Sequence, residues 1–434
     1  MNTRETLKST KDGILEIGGV IATDLVKNYG TPLYVYDQDY IEKICLAFTS
    51  SLKNNYGDGV VSYASKAFCC KEIYRIIDKF GMHADIVSYG ELLTAVQAGF
   101  NPKNLCFHGN NKSLTELNFA IENKIGCIVI DSLSEIDLIQ SVCEDKNYVQ
   151  NVLIRVNPGV EAHTHHYIQT AKIDSKFGFS ILTNDAEEAI LKVKNSKNLN
   201  LLGLHCHIGS QIFEAKSFVL AVEKMTDFYA YCKNNLDINF STLNLGGGFG
   251  IYYSENDPKL TISDYENFVK IICDTLISCV AKKGINKPKL IIEPGRSIVG
   301  EAGITLYTAG NIKQIKNVKN YIAIDGGMFE NPRFALYQAK YLVEIATKLN
   351  QPKTTKYSIA GKCCESGDLI AEDVCLPTAK EGDIIAVFST GAYNYSMASN
   401  YNRNTVPPVV MVKDGKHRLI VKGQKPIDLL QYDI

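Results

Sequence analysis

No apolar run in this 434-residue sequence approaches the roughly 20 residues that a membrane-spanning helix needs. Residues 1–11 are polar, so the start of the chain is not expected to act as a secretory leader. Neither sign of charge prevails: 46 Lys and Arg against 47 Asp and Glu leave a formal charge of −1. That balance gives no footing to nucleic acid or to an anionic membrane surface, which are bound through dense positive charge. The 13 cysteines are odd in number, and Cys69-Cys70 and Cys363-Cys364 are adjacent pairs. Such pairs suit neither a disulfide framework nor a Cys-x-x-Cys metal knuckle. Most of the other cysteines sit within apolar runs, as reduced core thiols do. A reducing cytoplasm is the expected compartment. No internal repeat and no low-complexity linker interrupts the chain.

What is present is an ordinary soluble composition, 45% hydrophobic and 21% charged. The chain is longer than one core usually serves, so two domains are expected. Its centre alternates short apolar runs with amphipathic stretches, the pattern of a parallel sheet wrapped by helices. Eight strands are predicted, at residues 60–65, 84–88, 105–108, 127–131, 152–157, 202–207, 242–245 and 290–293. Helices are predicted at 69–80, 90–98, 113–123, 185–194, 215–234 and 263–283, and Asp37 caps one more that runs to Lys53. Eight such units predict a TIM-type (β/α)8 barrel over residues 38–303, with a doubly wound open sheet as the alternative. Barrels place their chemistry at the carboxyl ends of the strands. Lys66, Asp85, His108, Arg155, His207, Gly246 and Glu293 all fall at those ends.

After Gly303 the texture changes. Residues 304–309, 321–324, 384–388, 409–412 and 418–421 read as antiparallel strands, the last two joined through the tight-turn dipeptide Asp414-Gly415. Residues 14–21 and 33–36 have no place in the barrel. They are assigned to the same β-rich domain, which therefore takes residues 1–37 and 304–434.

Four features carry chemistry. In Tyr63-Ala64-Ser65-Lys66-Ala67 a lysine ends an apolar strand, where desolvation would lower its pKa and expose a nucleophilic amine. The plainer reading is a lysine that marks where the strand meets water. Leu245-Gly246-Gly247-Gly248-Phe249-Gly250 follows strand seven directly, and consecutive glycines let backbone N–H groups close on an anion, phosphate above all. A tight turn without ligand, or a sugar-phosphate site, would look alike. Strand eight ends in Glu293-Pro294-Gly295-Arg296, and a carboxylate in a barrel mouth needs a cationic partner: a protonated pyridine nitrogen is one, Arg155 another. In His205-Cys206-His207 alternation turns both rings inward, ahead of a Gly209-Ser210 turn. This pair, with His163, His165 and His166, is a weak zinc signature; no suitably placed Cys or Asp completes a ligand set, and no metal is expected. Pyridoxal phosphate needs a Schiff-base lysine, an acidic partner for its ring nitrogen and a phosphate cradle. Lys66, Glu293 and the turn of Gly246, Gly247 and Gly248 supply all three, from strands that neighbour one another in a closed barrel.

With these residues in view, the sequence resembles the fold-type III pyridoxal-phosphate-dependent decarboxylases, and among them the branch that acts on diaminopimelate. The resemblance runs from Pro32 to Val412. Its most specific stretches are His205-Cys206-His207-Ile208-Gly209-Ser210-Gln211, Asp325-Gly326-Gly327-Met328, Asn331-Pro332-Arg333-Phe334-Ala335-Leu336-Tyr337, Cys364-Glu365-Ser366-Gly367-Asp368 and Gly391-Ala392-Tyr393. Asp174-Ser175-Lys176-Phe177-Gly178 is similar to the family as well. Phe334 stands where the family usually has proline, which leaves Arg333 in place.

The resemblance implies roles residue by residue. Lys66 would hold the cofactor covalently, with Asp85 orienting that lysine. His207 would stack on the pyridine ring, and Ser210, Gly248, Tyr393 and the backbone around Gly295 and Arg296 would hold the phosphate. Glu293 would keep the ring nitrogen protonated, with Arg155 nearby; no role is implied for His108. Arg296, Arg333 and Tyr337 would grip the distal carboxylate of the substrate, which suits arginine's planar fork. Glu365 would pair with the distal ammonium, and Cys364 would protonate the carbanion, both taken from the other subunit of a homodimer. The implied reaction converts meso-2,6-diaminopimelate to L-lysine and carbon dioxide. Read without the family, Arg333 could equally serve a surface ion pair and Cys364 be a buried thiol. Rival readings are a decarboxylase of ornithine, lysine or carboxynorspermidine, an alanine-racemase-like enzyme, and a non-catalytic pyridoxal-phosphate carrier. Carriers are single barrels, and the racemase pairs its ring nitrogen with arginine rather than with a residue like Glu293.

Overall fold

A computed structural model describes residues 6–160 and 176–434. His163, His165 and His166, and the Asp174-Ser175 that open one motif, lie outside the described residues. Eight parallel strands form a closed ring: β1 (Gly59–Ala64), β2 (His83–Ile86), β3 (Leu105–Phe107), β4 (Cys127–Ile130), β5 (Gln150–Asn157), β6 (Leu199–His205), β7 (Thr242–Asn244) and β8 (Lys289–Ile292). Strand β8 pairs with β1 and β4 with β5, so the sheet has no open break in the ring and the doubly wound alternative falls. The short strand Phe179–Ser180 adds to β5 at its carboxyl end.

The helices begin where side chains can satisfy their free N–H groups. Ser88 accepts from Glu91 N at the head of Tyr89–Gln97, and Ser113 with Glu116 forms a capping box on Leu114–Glu122. Thr261 and Asp264 do the same for Ile262–Lys283. A helix the sequence pattern did not single out, Leu133–Asp145, starts at Ser132 in the same way.

The chain divides into two compact units. Ile44–Gly250 with Leu260–Gly295 holds all eight barrel strands. The other unit takes Met1–Lys43 and Arg296–Ile434 together with Ile251–Lys259, a segment that sequence texture alone does not separate from the barrel. Its centre is the long strand Gly303–Ile315, which pairs antiparallel with Leu33–Asp37, Lys319–Ile324 and Ile384–Phe388. The N-terminal strand thus completes this sheet, as expected. The sheet is nevertheless mixed rather than wholly antiparallel: Leu33–Asp37 runs parallel to Val409–Lys413, and Lys319–Ile324 parallel to Thr355–Ala360. Residues 14–21 form two short strands of a separate three-stranded sheet, Leu15–Ile17 and Val20–Ile21, rather than one strand.

Both faces of the large sheet are buried. Ile304 and Leu306 enter one apolar cluster with Ile384 and Ala386, while Tyr307 and Ala309 enter another with Ile385 and Val387. That is the two-residue period of a strand, with apolar groups on either side. No helix among the described residues is long and apolar enough to cross a membrane.

Candidate active site

At the carboxyl ends of β7, β8 and β1 the backbone itself joins the three expected features. Glu293 N donates to Gly246 O at 2.9 Å, and Ala64 N donates to Pro294 O at 3.3 Å. Gly246 sits at φ 68°, and a Cβ there would lie 2.6 Å from Cys206 O and 2.8 Å from His207 Nδ1. A Cβ on Gly247 would meet Glu293 O at 2.0 Å. No side chain fits, so the turn offers only backbone, as an oxyanion cradle requires. His207 stands beside it, half-buried, with Gly247 N donating to Nδ1 at 3.3 Å. Ser210 is half-buried in the loop after β6, where Gln211 takes φ 57°.

Lys66 follows β1 in a single turn of 3-10 helix, Ser65–Ala67, and its side chain is exposed. The desolvation expected of a lysine buried in the mouth is therefore not supplied by the protein's own packing. Its charge still reaches His207, whose ring is held well below its ordinary pKa by burial first and by Lys66 second. Asp85 makes no hydrogen bond with Lys66 among the described residues. Its Oδ1 accepts from the Ser62 hydroxyl at 2.5 Å and lies 3.5 Å from His108 Nε2.

Glu293 is buried and surrounded by nitrogen. Asn244 Nδ2 donates to Oε1 at 2.5 Å, His205 Nε2 is 3.2 Å from Oε2, and His108 Nε2 is 3.4 Å from Oε1. Arg155, His205 and Asn244 are register partners on β5, β6 and β7, so one row of the barrel carries three polar residues. Arg155 is not the partner of Glu293 that its position suggested: it stacks on the Phe177 ring at 4.3 Å and forms no ion pair with Glu293 among the described residues. His205 and His207 do not act as a pair either. His205 meets His108 edge to face, ring centroids 4.9 Å apart, while His207 turns to the glycine turn.

Burial alone would raise the pKa of Glu293, but His205 and His108 hold it below the ordinary carboxylate range. Burial lowers His205 to about 4, so that ring is neutral near pH 7. His108 is the cation of the cluster: burial opposes its charge, yet Glu293, Cys106 and Asp85 push its pKa well above the ordinary value. Asp85 is raised to about 6, by burial first and by Glu293 second. His108, His205 and Glu293 each bring one ligand atom within 4.8 Å of the others. The set is thus more metal-like than His205 with His207, although a protonated His108 has no lone pair at Nε2 to give.

The other unit gathers arginine with phenols. Arg296 Nη1 donates to the Tyr253 hydroxyl at 2.5 Å, and its guanidinium lies 4.6 Å over the Tyr393 ring. Arg333 Nη1 donates to the Tyr341 hydroxyl at 3.1 Å, with Tyr253 at 4.9 Å and Tyr337 and Tyr393 each at 6.0 Å from its guanidinium carbon. Arg333 is only 6% exposed and has no carboxylate in ion-pair range among the described residues. This is not a surface ion pair. Cys364 and Glu365 are exposed, on the loop between Thr355–Ala360 and Leu369–Leu376. Asp368 fixes that loop to the Asp325-Gly326-Gly327-Met328 motif, accepting from Met328 N at 2.6 Å and Cys363 N at 2.7 Å.

Sequence reasoning passed over Asn244, Ser62, Tyr253 and Tyr341. Asn244 was within reach, since it shares a strand face with Thr242 and stands two residues before Gly246. Tyr253 left no signal, because the arginine it bonds lies 43 residues away.

Residues 41–300 match the family model described as pyridoxal-dependent decarboxylase, pyridoxal binding domain. The chain is 46% identical over 429 residues to the diaminopimelate decarboxylase of Bacillus subtilis, covering 99% of this chain and 97% of that protein. It is 48% identical over 417 residues to that of Bacillus methanolicus, covering 96% of each. Among solved structures, the diaminopimelate decarboxylase of M. jannaschii in complex with L-lysine superposes with a TM-score of 0.91 at 34% identity, over 100% of this chain and 99% of that one.

Proposed function

The chain belongs to the pyridoxal-dependent decarboxylases, in the diaminopimelate decarboxylase family, and on that premise we propose how its own side chains divide the work. The reaction takes meso-2,6-diaminopimelate to L-lysine and carbon dioxide, the closing step of lysine biosynthesis. When bound, pyridoxal phosphate supplies a ring that withdraws the electron pair left behind as carbon dioxide departs.

Lys66 would hold the cofactor covalently through Nζ. Gly246, Gly247 and Gly248 would present backbone to the phosphate, joined by Ser210, Gly295, Arg296 and Tyr393. His207, neutral beside the glycine turn, would supply a flat ring for the pyridine to rest on. Glu293, buried and ionised, would keep a proton on the ring nitrogen, because a desolvated carboxylate favours a cationic partner. Arg333, with Arg296 and Tyr337, binds the carboxylate of the substrate distal to the reacting carbon. Glu365 takes the distal ammonium and Cys364 delivers the proton that replaces carbon dioxide.

One observation carries the substrate reading. Arg333 is buried among tyrosines with no carboxylate of the described residues to neutralise it. Burying an unpaired guanidinium is costly, and a ligand carboxylate removes that cost. Decarboxylation substrates without a second carboxylate leave it unpaired. The exposure of Cys364 and Glu365 supports a homodimer in which each protomer lends this loop to its partner's site.

The test is carbon dioxide release by the purified protein over the stereoisomers of diaminopimelate, L-lysine and ornithine. Release from meso-diaminopimelate alone is the expected outcome. Faster release from ornithine or lysine would overturn the assignment of Arg333.

A further inference from the structure

Two buried carboxylates face one imidazole at the floor of the barrel mouth. His108 Nε2 is 3.5 Å from Asp85 Oδ1 on β2 and 3.4 Å from Glu293 Oε1 just after β8. His108 itself lies one residue beyond β3, its side chain about 8% exposed, with its N–H tied to Ile86 O at 2.8 Å. Each carboxylate has a further fixed donor, Ser62 on Asp85 and Asn244 on Glu293. The remaining titratable groups that act on His108 or its partners are Cys106 on β3, Glu91 on the helix after β2, His205 at the end of β6, Cys206 and His207 just beyond it, and Arg155 on β5.

We propose that His108 is a positioning residue: as an imidazolium shared between Asp85 and Glu293 it keeps both carboxylates ionised, and so keeps Glu293 competent to hold the proton on the ring nitrogen. The inference rests on the ring-nitrogen role given to Glu293 above.

The reasoning is electrostatic. Two carboxylates buried this close to one nitrogen repel, and without a cation between them one takes up a proton. His205, neutral near pH 7, brings Glu293 a hydrogen bond but no charge, and Arg155 forms no ion pair with Glu293 among the described residues. Among the described residues His108 alone is a cationic group within 3.5 Å of both. With it present, the cluster of two carboxylates and one imidazolium carries one net negative charge. A cationic ring nitrogen then brings that charge to zero. With it absent, the cluster would hold two negative charges, or would neutralise a carboxylate and weaken its claim on the ring nitrogen.

The first readout needs no cofactor. In cofactor-free protein labelled with 15N-histidine, and assigned by comparison with His108→Gln, both ring nitrogens of His108 should report the protonated form near pH 7. Asp85→Asn should lower its midpoint by about one pH unit or more. A neutral His108 in the wild-type protein at that pH overturns the proposal.

The second readout is a double-mutant cycle in the cofactor-loaded enzyme. His108→Gln should lower kcat by about tenfold or more with little change in KM, and should add almost nothing to the loss in Glu293→Gln. Losses that multiply would show that His108 acts through general packing, and would sink the proposal while leaving Glu293 in its role. An unchanged kcat in Glu293→Gln would instead remove the reading beneath it, whatever the NMR shows of His108.

Discussion

Asn244 bonds in two directions: Nδ2 donates to Glu293 Oε1 at 2.5 Å, and Oδ1 accepts from Gly246 N at 2.9 Å. One amide at the end of β7 therefore sets both the carboxylate of β8 and the first peptide of the glycine turn. Asn244→Ala is expected to weaken cofactor affinity and kcat together. Each lost charged or buried hydrogen bond is worth about 1–3 kcal/mol. Cofactor titration and steady-state kinetics would measure the two losses, and a loss in only one would show that the amide serves one side.

The loaded protein is expected to be yellow, and borohydride should bleach it while fixing the cofactor to Lys66. Lys66→Ala should lose the covalent bond and nearly all turnover. Peptide mapping of the reduced protein checks the attachment. A label on another lysine would remove Lys66 from that role.

Arg333→Ala should lower kcat/KM for meso-diaminopimelate by roughly 2–5 kcal/mol, the cost of truncating one member of a buried charge pair. Lysine and ornithine carry no distal carboxylate, so any trace activity on them should escape that loss. Selectivity then narrows, because it is a difference between affinities. Equal losses across the three substrates would give Arg333 a purely structural part, tied to Tyr341 and Tyr253.

Lys112 and Glu135 form a buried ion pair at 2.6 Å, with side chains 2% and 7% exposed, and Lys112 Nζ also donates to Gly109 O and Val129 O. The pair ties the loop after β3 to the first turn of the helix Leu133–Asp145 that follows β4. Glu135→Gln leaves a buried ammonium without its counter-charge and should destabilise the barrel unit by roughly 3–5 kcal/mol. The double change Lys112→Met with Glu135→Leu should cost less than that single change. Denaturant midpoints of the three proteins decide it.

Glu330 gives a pH dependence. Its carboxyl is fully buried, accepts from the Tyr307 hydroxyl at 2.8 Å and Gly327 N at 3.0 Å, and is raised by burial from 4.5 to about 8. The folded state binds this proton more tightly than the unfolded chain. The stability it contributes is full below the unfolded value and drains as pH rises toward 8, by up to about 1.4 kcal/mol per unit. Glu330→Gln mimics the protonated form and should flatten that decline. A wild-type slope that survives in the variant would place the titrating group elsewhere.

The barrel was legible because its strands, buried on both sides, read as short apolar runs between amphipathic helices, and because polar residues recur where each run ends. Lys66, the glycine turn and Glu293 were found that way: strand order alone makes the ends of β7, β8 and β1 neighbours. The β-rich unit was harder. Val343–Ile345, Thr355–Ala360 and Leu369–Leu376 were not distinguished, and strand direction was not encoded by any local signal. Parallel or antiparallel pairing is decided by which distant strand is brought alongside.

The sequence by itself determined the residue types and their places along the chain: a lysine, a glycine turn and a carboxylate at strand ends, and an arginine within a recognisable motif. Only the tertiary structure decided which groups meet. It joined Asp85 and Glu293 through His108, gave Asn244 rather than Arg155 to Glu293, separated His207 from His205, and set Tyr253 and Tyr341 on the arginines. The physical reason is range. Strand periodicity and capping act over a few residues and can be read locally, whereas hydrogen bonds and charge act through space, between positions that only the folded chain brings within about 3 Å.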